Sequence, residues 1–556
     1  MNLDAFAELF EPADVHVAQR LCTLTGEPTP TVALAVAFAV RAVRAGSVCV
    51  DLRSLAQQIG EPDLPWPATP EWLTAVRASP LVDNHVLHLL SDSGADLLYL
   101  DRYWREEQQV RDDVLALLAA PQSTAAPGLE RLFPGGWEEQ RRAAEVALAQ
   151  SLTVLTGGPG TGKTTTVARL LALLAEQAAL DGRPPLRIAL AAPTGKAAAR
   201  LLEAVRMELG ALDAQDRDRL PTLTASTLHR LLRPRPDNGS RFRHHRENRL
   251  PHDVIVVDET SMVSLTLMAR LLEAVRPDSR LLLAGDPDQL ASVEAGAVLA
   301  DLVDGLGARA DVRIAALHTS HRFGARIGAL AAAIRDGDAD GTVEVLRDGG
   351  DHVEWIDADA PGERLREVLL PQALRLREAA VLGDVRVALD TLDEHRLLCA
   401  HRRGPFGVAH WNRQVERWLT DATGEPIWAD WYAGRPVLVT ANDYGRKLYN
   451  GDTGVAVVRG EGVRVVIGEQ EFAAGRLTDV DTMHAMTIHK SQGSQADEIT
   501  VLLPPPESRL LTRELFYTAV TRAKKKVRVV GTEASVRAAV GRRAARASGL
   551  ARRLAV

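Results

Sequence analysis

The residues with the most defined chemistry lie between positions 157 and 165. Gly157, Gly162, Lys163 and Thr164 satisfy the spacing G-x-x-x-x-G-K-[ST] of a phosphate-binding loop. The full stretch is Gly157, Gly158, Pro159, Gly160, Thr161, Gly162, Lys163, Thr164 and Thr165. Glycines let backbone N–H groups curl round an anion, and the positive end of a following helix adds to the same field. Lys163 is spaced to reach the β- and γ-phosphates of a nucleotide, and the Thr164 hydroxyl suits a magnesium ion. An ordinary glycine-rich turn has similar composition. It does not usually sit between a β-branched apolar run (152–155) and a helix pattern such as ARLLALLAEQ.

Other polar clusters recur at the ends of apolar runs. VIVVDETSM is a buried-strand pattern ending in Asp258 and Glu259, an acidic pair suited to holding magnesium and activating water. LLLAGDPDQL repeats the plan and offers Gln289 as a γ-phosphate sensor. Gln140, on a helix one element upstream of the loop, has the donor and acceptor needed to read adenine, although most helical glutamines simply face solvent. RIALAAPTGK ends a strand in a polar turn, Pro193 to Lys196, where ligands bind in open parallel sheets. Ser226, Thr227 and His229 cluster at a helix start, where a plain capping hydroxyl is an equally good reading. Thr487, His489, Lys490, Ser491 and Gly493 form a further cluster before a strand. Arg322 opens an amphipathic helix. Arg522 precedes the last strand, from where it can stabilise γ-phosphate charge across a cleft.

The surrounding composition is that of a globular protein with several domains. The chain has 556 residues, 46% hydrophobic and 25% charged, and single cores stop growing near roughly 250–300 residues. Its formal net charge of -7 excludes a global basic field, so nucleic acid must use a local groove. Three scattered cysteines read as buried thiols of a reducing, cytoplasmic setting. The acidic start lacks a signal-peptide pattern, and the longest apolar run (31–40) is half of what a bilayer needs, so no membrane association is expected. Residues 1–118 read as a mostly helical N-terminal domain and 119–129 as a linker. The arginine-rich stretch 232–250 contains Asp237-Asn238-Gly239, a turn signal for a basic hairpin. Residues from about 425 to 480 have all-β patterning with Asn-Gly and Gly-Asp turns, which suggests a small inserted barrel. The arginine-rich tail 536–554 reads as a basic helix, solvated or on DNA.

Taken in order, QRRAAEVAL, GGPGTGKTTT, APTGKAAARL, STLHRLL, VDETSM, GDPDQL, SHRF, HKSQGSQ and YTAVTRAKK resemble the motifs of superfamily 1 helicases. LLCAHRRGPFGVAHWN, NDYGRKLYNGD and TRELFYTAVTRA narrow the resemblance to the RecD family, the alpha subunits of exodeoxyribonuclease V (RecBCD). The resemblance covers 137–531 densely. It implies an α/β fold of two RecA-like domains of parallel sheets and flanking helices, 130–315 and 316–556. The mostly helical N-terminal domain would bind a partner, and the inserted barrel would be SH3-like. ATP and Mg2+ would bind between the two domains: Gln140 on adenine, Gly160, Gly162, Lys163 and Thr164 on phosphates and metal, Asp258 on the metal, Glu259 as base. Gln289, Arg322 and Arg522 would complete the γ-phosphate site, with Gly493 nearby. Pro193, Thr194, Lys196, Thr227, His229, Thr487, His489 and Ser491 would line a single-strand DNA track. Phe323 and Tyr444 are the aromatic candidates for base stacking, in a chain with only 4% aromatics. The implied activity is ATP-dependent 5′-to-3′ unwinding from duplex ends, in a heterotrimer with RecB and RecC, for double-strand break repair, with no nuclease centre in this chain. Three rivals stand beside it: a free-standing RecD-like helicase, whose usual helix-hairpin-helix repeats are not seen here; a regulatory subunit with a dispensable motor, which the filled ATP site does not exclude; and a phosphate-loop ATPase unrelated to DNA, which HKSQG and AVTRAKK oppose.

Overall fold

The computed structural model describes residues 3–92, 94–120, 128–235, 238–319, 324–427, 429–443, 445–460 and 462–556, with backbone alone at 238–240. Arg322, Phe323 and Tyr444 lie outside the described residues. The strands β1 (Cys49–Asp51), β2 (Leu87–Ser91) and β3 (Asp96–Leu100) form an antiparallel sheet in the order β1-β3-β2. The helix Pro30–Arg44 buries Val32, Val36 and Phe38 in one core with Leu98 of this sheet. The apolar run at 31–40 is therefore a core helix, as its pattern predicts. The β2–β3 hairpin was not legible, because its turn lacks the usual Asn-Gly signal. Asp92 makes the turn instead, its Oδ1 accepting from the N–H groups of Gly94 and Ala95 at 2.7 and 2.8 Å.

Eight strands follow: β4 (Leu152–Gly157), β5 (Ile188–Ala192), β6 (Ala225–Thr227), β7 (Pro234–Arg235), β8 (Asn238–Phe242), β9 (Val254–Val257), β10 (Arg280–Gly285) and β11 (Ala315–Leu317). Six of them make a parallel sheet in the order β11-β4-β10-β9-β5-β6. Parallel pairing needs crossover helices, which cover both faces and make the strands apolar throughout. Leu152 and Val154 accordingly pack with Met268 on one side, and Leu155 with Val167 and Leu171 on the other. β7 and β8 form the two-stranded basic ribbon expected from 232–250. Part of its charge is spent on the protein itself: Arg246 pairs with Asp113 at 2.9 Å, and Arg249 donates to the carbonyl of Val275.

The second half contains β12 (Val353–Ile356), β13 (His395–Cys399), β14 (Pro436–Val439), β15 (Thr453–Arg459), β16 (Gly462–Ile467), β17 (Gln470–Ala473), β18 (Val480–Thr482), β19 (Ala485–Thr487), β20 (Ala496–Leu502) and β21 (Ala523–Val530). Five of these form a second parallel sheet, β12-β21-β20-β13-β19. The others form an antiparallel sheet, β17-β16-β15-β14-β18, inserted between β13 and β19 in the chain. Among the described residues no helix is long and apolar enough to cross a membrane.

The arginine-rich tail departs from the single helix its composition suggests. The helix Glu533–Gly541 ends, an extended strap follows, and a short helix, Leu550–Leu554, packs into a core of the first half. Val48 N–H donates to Ala547 O at 3.0 Å, and Leu550 and Leu554 are buried with Leu302 and Leu306 of the helix Val298–Gly307. Buried Glu107 accepts from Ser548 Oγ (2.9 Å) and Gly549 N (3.1 Å), and Arg553 pairs with it at 3.2 Å while covering the Trp104 ring. Two leucines four residues apart supply one apolar stripe, and protein rather than solvent covers it.

Beside this junction, burial, and then the charges of Glu107 and Asp304, push the Asp301 carboxyl up to about 7. Its ordinary value lies near 3.8, so the folded state holds the proton more tightly. The stabilisation is fully present below about pH 4 and is lost as pH rises through about 7. Thermal midpoints at pH 5 and pH 8 are therefore expected to differ less in Asp301→Asn than in the parent. An unchanged difference would remove Asp301 from the account.

Candidate phosphate-binding cleft

The loop at 157–162 leaves the carboxyl end of β4 and enters the helix Lys163–Leu180, so the N-terminal N–H groups of that helix point into the turn. Gly162 adopts φ 88°, a left-handed conformation that favours glycine, and it precedes the first helical turn. Lys163 Nζ donates to the carbonyls of Gly157 (2.5 Å) and Gly158 (3.0 Å), which holds its ammonium over the mouth of the loop. Thr161 and Thr166 hydroxyls brace the turn by donating to Gly158 O and Gly162 O, each at 2.9 Å. Thr164 lines the cleft beside it, and Thr165 Oγ1 donates to Glu208 at 2.8 Å.

The loop forms one wall of a cleft of about 1000 Å³ whose other wall comes from the second parallel sheet. From the first half come Gln140, Pro159, Gly160, Lys163, Asp258, Glu259 and Gln289; from the second come Gly493, Arg522 and Lys524. These positions span more than 380 places in sequence. Gln140 is buried against the loop, its Nε2 3.4 Å from Thr161 O, with Trp137 alongside. Trp137 is stacked by the Arg169 guanidinium at 4.1 Å, a flat pair at the expected base end of the cleft.

The acidic pair lies just past β9. Asp258 N–H donates to Ala191 O at 2.9 Å, extending the sheet pairing one residue beyond the strand. Burial and the neighbouring Glu259 carboxylate raise the Asp258 carboxyl, and Lys163 opposes the rise. A half-buried acidic pair of this kind is a donor set that a divalent cation favours, and Thr164 supplies a hydroxyl in the same cleft. Glu259 itself sits at φ 51°, ψ 41°, an unusual conformation for a residue with a side chain. Backbone held in such a region tends to mark functional positions, and no sequence pattern signals it.

Arg522 enters from the far wall. It is buried, and its hydrogen bonds go to Thr518 O (3.0 Å) and Thr521 Oγ1 (3.3 Å). Burial lowers its pKa, with Glu259 and Asp286 acting in the opposite sense. Arg200 is the cleft residue that motif spacing missed. One turn beyond Lys196 on the helix Gly195–Gly210, it lines the cleft and donates to Gly493 O at 2.6 Å, tying the two halves together.

The candidate track positions lie at the strand ends above the cleft. Thr194 follows β5, Thr227 and Thr487 are the last residues of β6 and β19, and each hydroxyl accepts from a backbone N–H as a helix cap. Ser491 departs most from an open contact, being 2% exposed with its hydroxyl donating to Ile488 O at 2.7 Å. Lys196 Nζ donates to Gly451 O (3.2 Å), and burial, then Arg200 and Arg396, push its pKa down to about 8. His229 lies near the Phe242 ring at 5.8 Å. Burial, then Arg546 and Arg402, lower His489. A loop of the inserted sheet, 449–451, reaches over this row. Lys490 Nζ bonds Asn450 Oδ1 at 3.1 Å, and a side chain at Gly195 would collide with the Tyr449 ring. Pro193 joins β5 to the Thr194 cap.

Comparison with known families agrees with this geometry. A model described as AAA domain matches residues 140–295, and one described as UvrD-like helicase C-terminal domain matches 482–530. A third, described as RecBCD enzyme subunit RecD, N-terminal domain, matches 7–93. The RecBCD enzyme subunit RecD of Mycolicibacterium smegmatis is 71% identical over 554 residues, covering 99% of both chains. That of Mycobacterium tuberculosis (strain CDC 1551 / Oshkosh) is 68% identical, covering 99% of this chain and 95% of the relative. The ATP-dependent RecD2 DNA helicase of Deinococcus radiodurans is 32% identical over 83% of this chain but only 59% of its own length. With such identity from end to end, this chain belongs to the RecBCD enzyme subunit RecD family.

Proposed function

We infer that the chain is an ATP-dependent DNA helicase acting as the RecD subunit of a RecBCD complex. The observation that carries the reading is the cleft itself. A phosphate loop and an acidic pair on one parallel sheet face a buried arginine from another, with no carboxylate hydrogen-bonded to that arginine among the described residues. The two sheets are read as RecA-like domains, 130–315 and 316–556, and the antiparallel insertion as an SH3-like barrel over about 425–480. In this reading Lys163 and the loop N–H groups hold the phosphates, and Gln140 reads adenine. Glu259 takes the proton of the attacking water as the β–γ phosphoanhydride P–O bond breaks. Arg522, with Arg322, stabilises the charge on the γ-phosphate in the transition state. Thr164 and Asp258 would hold a magnesium ion, which would supply positive charge to the phosphate oxygens. Hydrolysis then changes the fit between the domains, and that motion advances a strand lying over the strand ends.

The track candidates suit contacts to a sugar–phosphate backbone, which position a strand without reading its bases. Thr194, Thr227 and Thr487 accept a backbone N–H as helix caps and keep the O–H proton, so each hydroxyl can still donate to a phosphate oxygen alongside Lys196. The N-terminal domain is assigned to partner binding, with RecB and RecC as the partners, in double-strand break repair. The 71% identity to a RecBCD enzyme subunit RecD, against 32% to the RecD2 helicase, favours the complex over a free-standing enzyme. Unwinding of 5′-tailed against 3′-tailed duplexes, by the chain alone and with RecB and RecC, tests the reading. Faster unwinding from the 5′ tail is expected. Preference for a 3′ tail overturns the polarity, and no unwinding in any assembly overturns the helicase reading.

A further inference from the structure

The segment 286–290, which follows β10 of the first sheet, is gripped from the second half at three places. Tyr517 OH donates to Asp286 Oδ2 at 3.1 Å. Thr518 Oγ1 accepts from Leu290 N–H at 2.9 Å, and Gln492 Nε2 donates to Leu290 O at 2.9 Å. The Leu290 side chain is buried in the core of the second half, with Phe516 and Ile488, rather than in that of its own sheet. Between these anchors stands Gln289, 5% exposed and lining the cleft. Its Nε2 donates to the same Asp286 Oδ2 at 3.0 Å, so the amide is fixed by the carboxylate that Tyr517 fixes. Its Oε1 is buried and accepts no hydrogen bond among the described residues.

A buried carbonyl oxygen without a donor costs about 1–3 kcal/mol, and such an atom in a native fold points to a group that is bound when the site works. With its amide nitrogen committed to Asp286, Gln289 is left with Oε1 as a buried acceptor at the cleft wall, and a water admitted there when nucleotide binds would supply the missing O–H. We propose that Tyr517 is a positioning residue for hydrolysis. Its hydroxyl orients Asp286, Asp286 orients Gln289, and Gln289 Oε1 holds the attacking water against Glu259. This rests on the reading of the cleft as an ATPase site. The relay is completed only by the second half, so closure of the two halves and alignment of the water become one event. The packing is close: a Cβ at Gly158 of the phosphate loop would stand 3.1 Å from the Tyr517 hydroxyl, so the tyrosine also touches the phosphate loop. Burial, then Asp286 and Asp288, keep the Tyr517 proton in place by raising its pKa, so the hydroxyl stays a donor.

The test is Tyr517→Phe in the full chain, which keeps the ring and removes only the hydroxyl. The expected result is a fall of about tenfold in kcat for ATP hydrolysis on single-stranded DNA, the size of one lost hydrogen bond. KM, and the Kd of a fluorescent ATP analogue, should stay within about twofold, because no group that touches the nucleotide has changed. Combined with Gln289→Ala, the variant should lose nothing more than Gln289→Ala alone, since both act through one oxygen. Thr518→Val, which loosens the neighbouring grip, should lower kcat in the same way by a smaller factor. A Tyr517→Phe enzyme with parental kcat, a loss that appears in Kd instead, or multiplicative losses in the double variant would each overturn the relay. Lys163→Gln separates the two levels: parental hydrolysis there sinks the ATP-site reading, whereas an inactive Lys163→Gln beside a fully active Tyr517→Phe sinks only the relay.

Discussion

Lys163→Gln is expected to fold as the parent does and to hydrolyse ATP about 10²–10³-fold more slowly, the usual loss when one preorganised charged donor leaves a transition state. The structural reason is specific. Among the described residues the ammonium bonds only to the carbonyls of Gly157 and Gly158, weak neutral partners that phosphate oxygens readily replace. Glutamine keeps much of the stem and a donor but removes the charge that opposes the developing negative charge. Nucleotide affinity should also fall, because a charged hydrogen bond is worth about 1.5–3 kcal/mol. Folding should not suffer, since the lysine holds no element in place: Thr161 and Thr166 brace the turn independently. Steady-state hydrolysis with single-stranded DNA, beside a thermal melt, checks both halves of the statement. A melt lowered in step with activity would show that the lysine matters to the fold instead.

Arg522→Gln is expected to lower kcat by about 10³-fold or more, the range seen when an arginine acting on γ-phosphate charge is removed, while ATP binding changes little. Arg522 is reserved for this task by what surrounds it. It is buried on the wall opposite the phosphate loop and bonds a carbonyl and a hydroxyl of its own helix end. Glu259 and Asp286 offset part of the cost of its burial. An arginine buried with no carboxylate hydrogen-bonded to it among the described residues is expensive, and its retention is explained by a negative charge arriving in the cleft. Single-turnover hydrolysis with a separately measured nucleotide Kd distinguishes this role from binding. A variant that loses affinity as much as rate would move Arg522 from the chemical step to ground-state binding.

Much of the architecture is legible because parallel sheets announce themselves. β4, β5, β9 and β10 are short apolar runs, buried on both faces, each ending in polar residues. The phosphate loop, the acidic pair and the glutamine of GDPDQL are local patterns whose spacing is set by a turn, so they can be read one at a time. The tail could not be read that way. Arginines on a short helix look the same whether they meet water, DNA or protein, and only the partners Glu107, Trp104 and Asp92 decide. The β2–β3 hairpin was hidden for a similar reason, its turn being built by one aspartate side chain.

What the sequence by itself determined is therefore the inventory: which nucleotide chemistry is present, in what order, and which family the order belongs to. The tertiary structure decided the pairings that create the machine. It brings Arg522 and Gly493 to the cleft of Lys163, ties Arg200 to Gly493, and lays the 449–451 loop over the strand ends of both sheets. It also threads Leu290 of the first half into the core of the second, with Tyr517 and Gln289 sharing one oxygen of Asp286. Motifs are short-range because a strand end and a helix start fix each other within a few residues. Contacts between residues more than two hundred positions apart depend on how two sheets pack, and no local pattern encodes that.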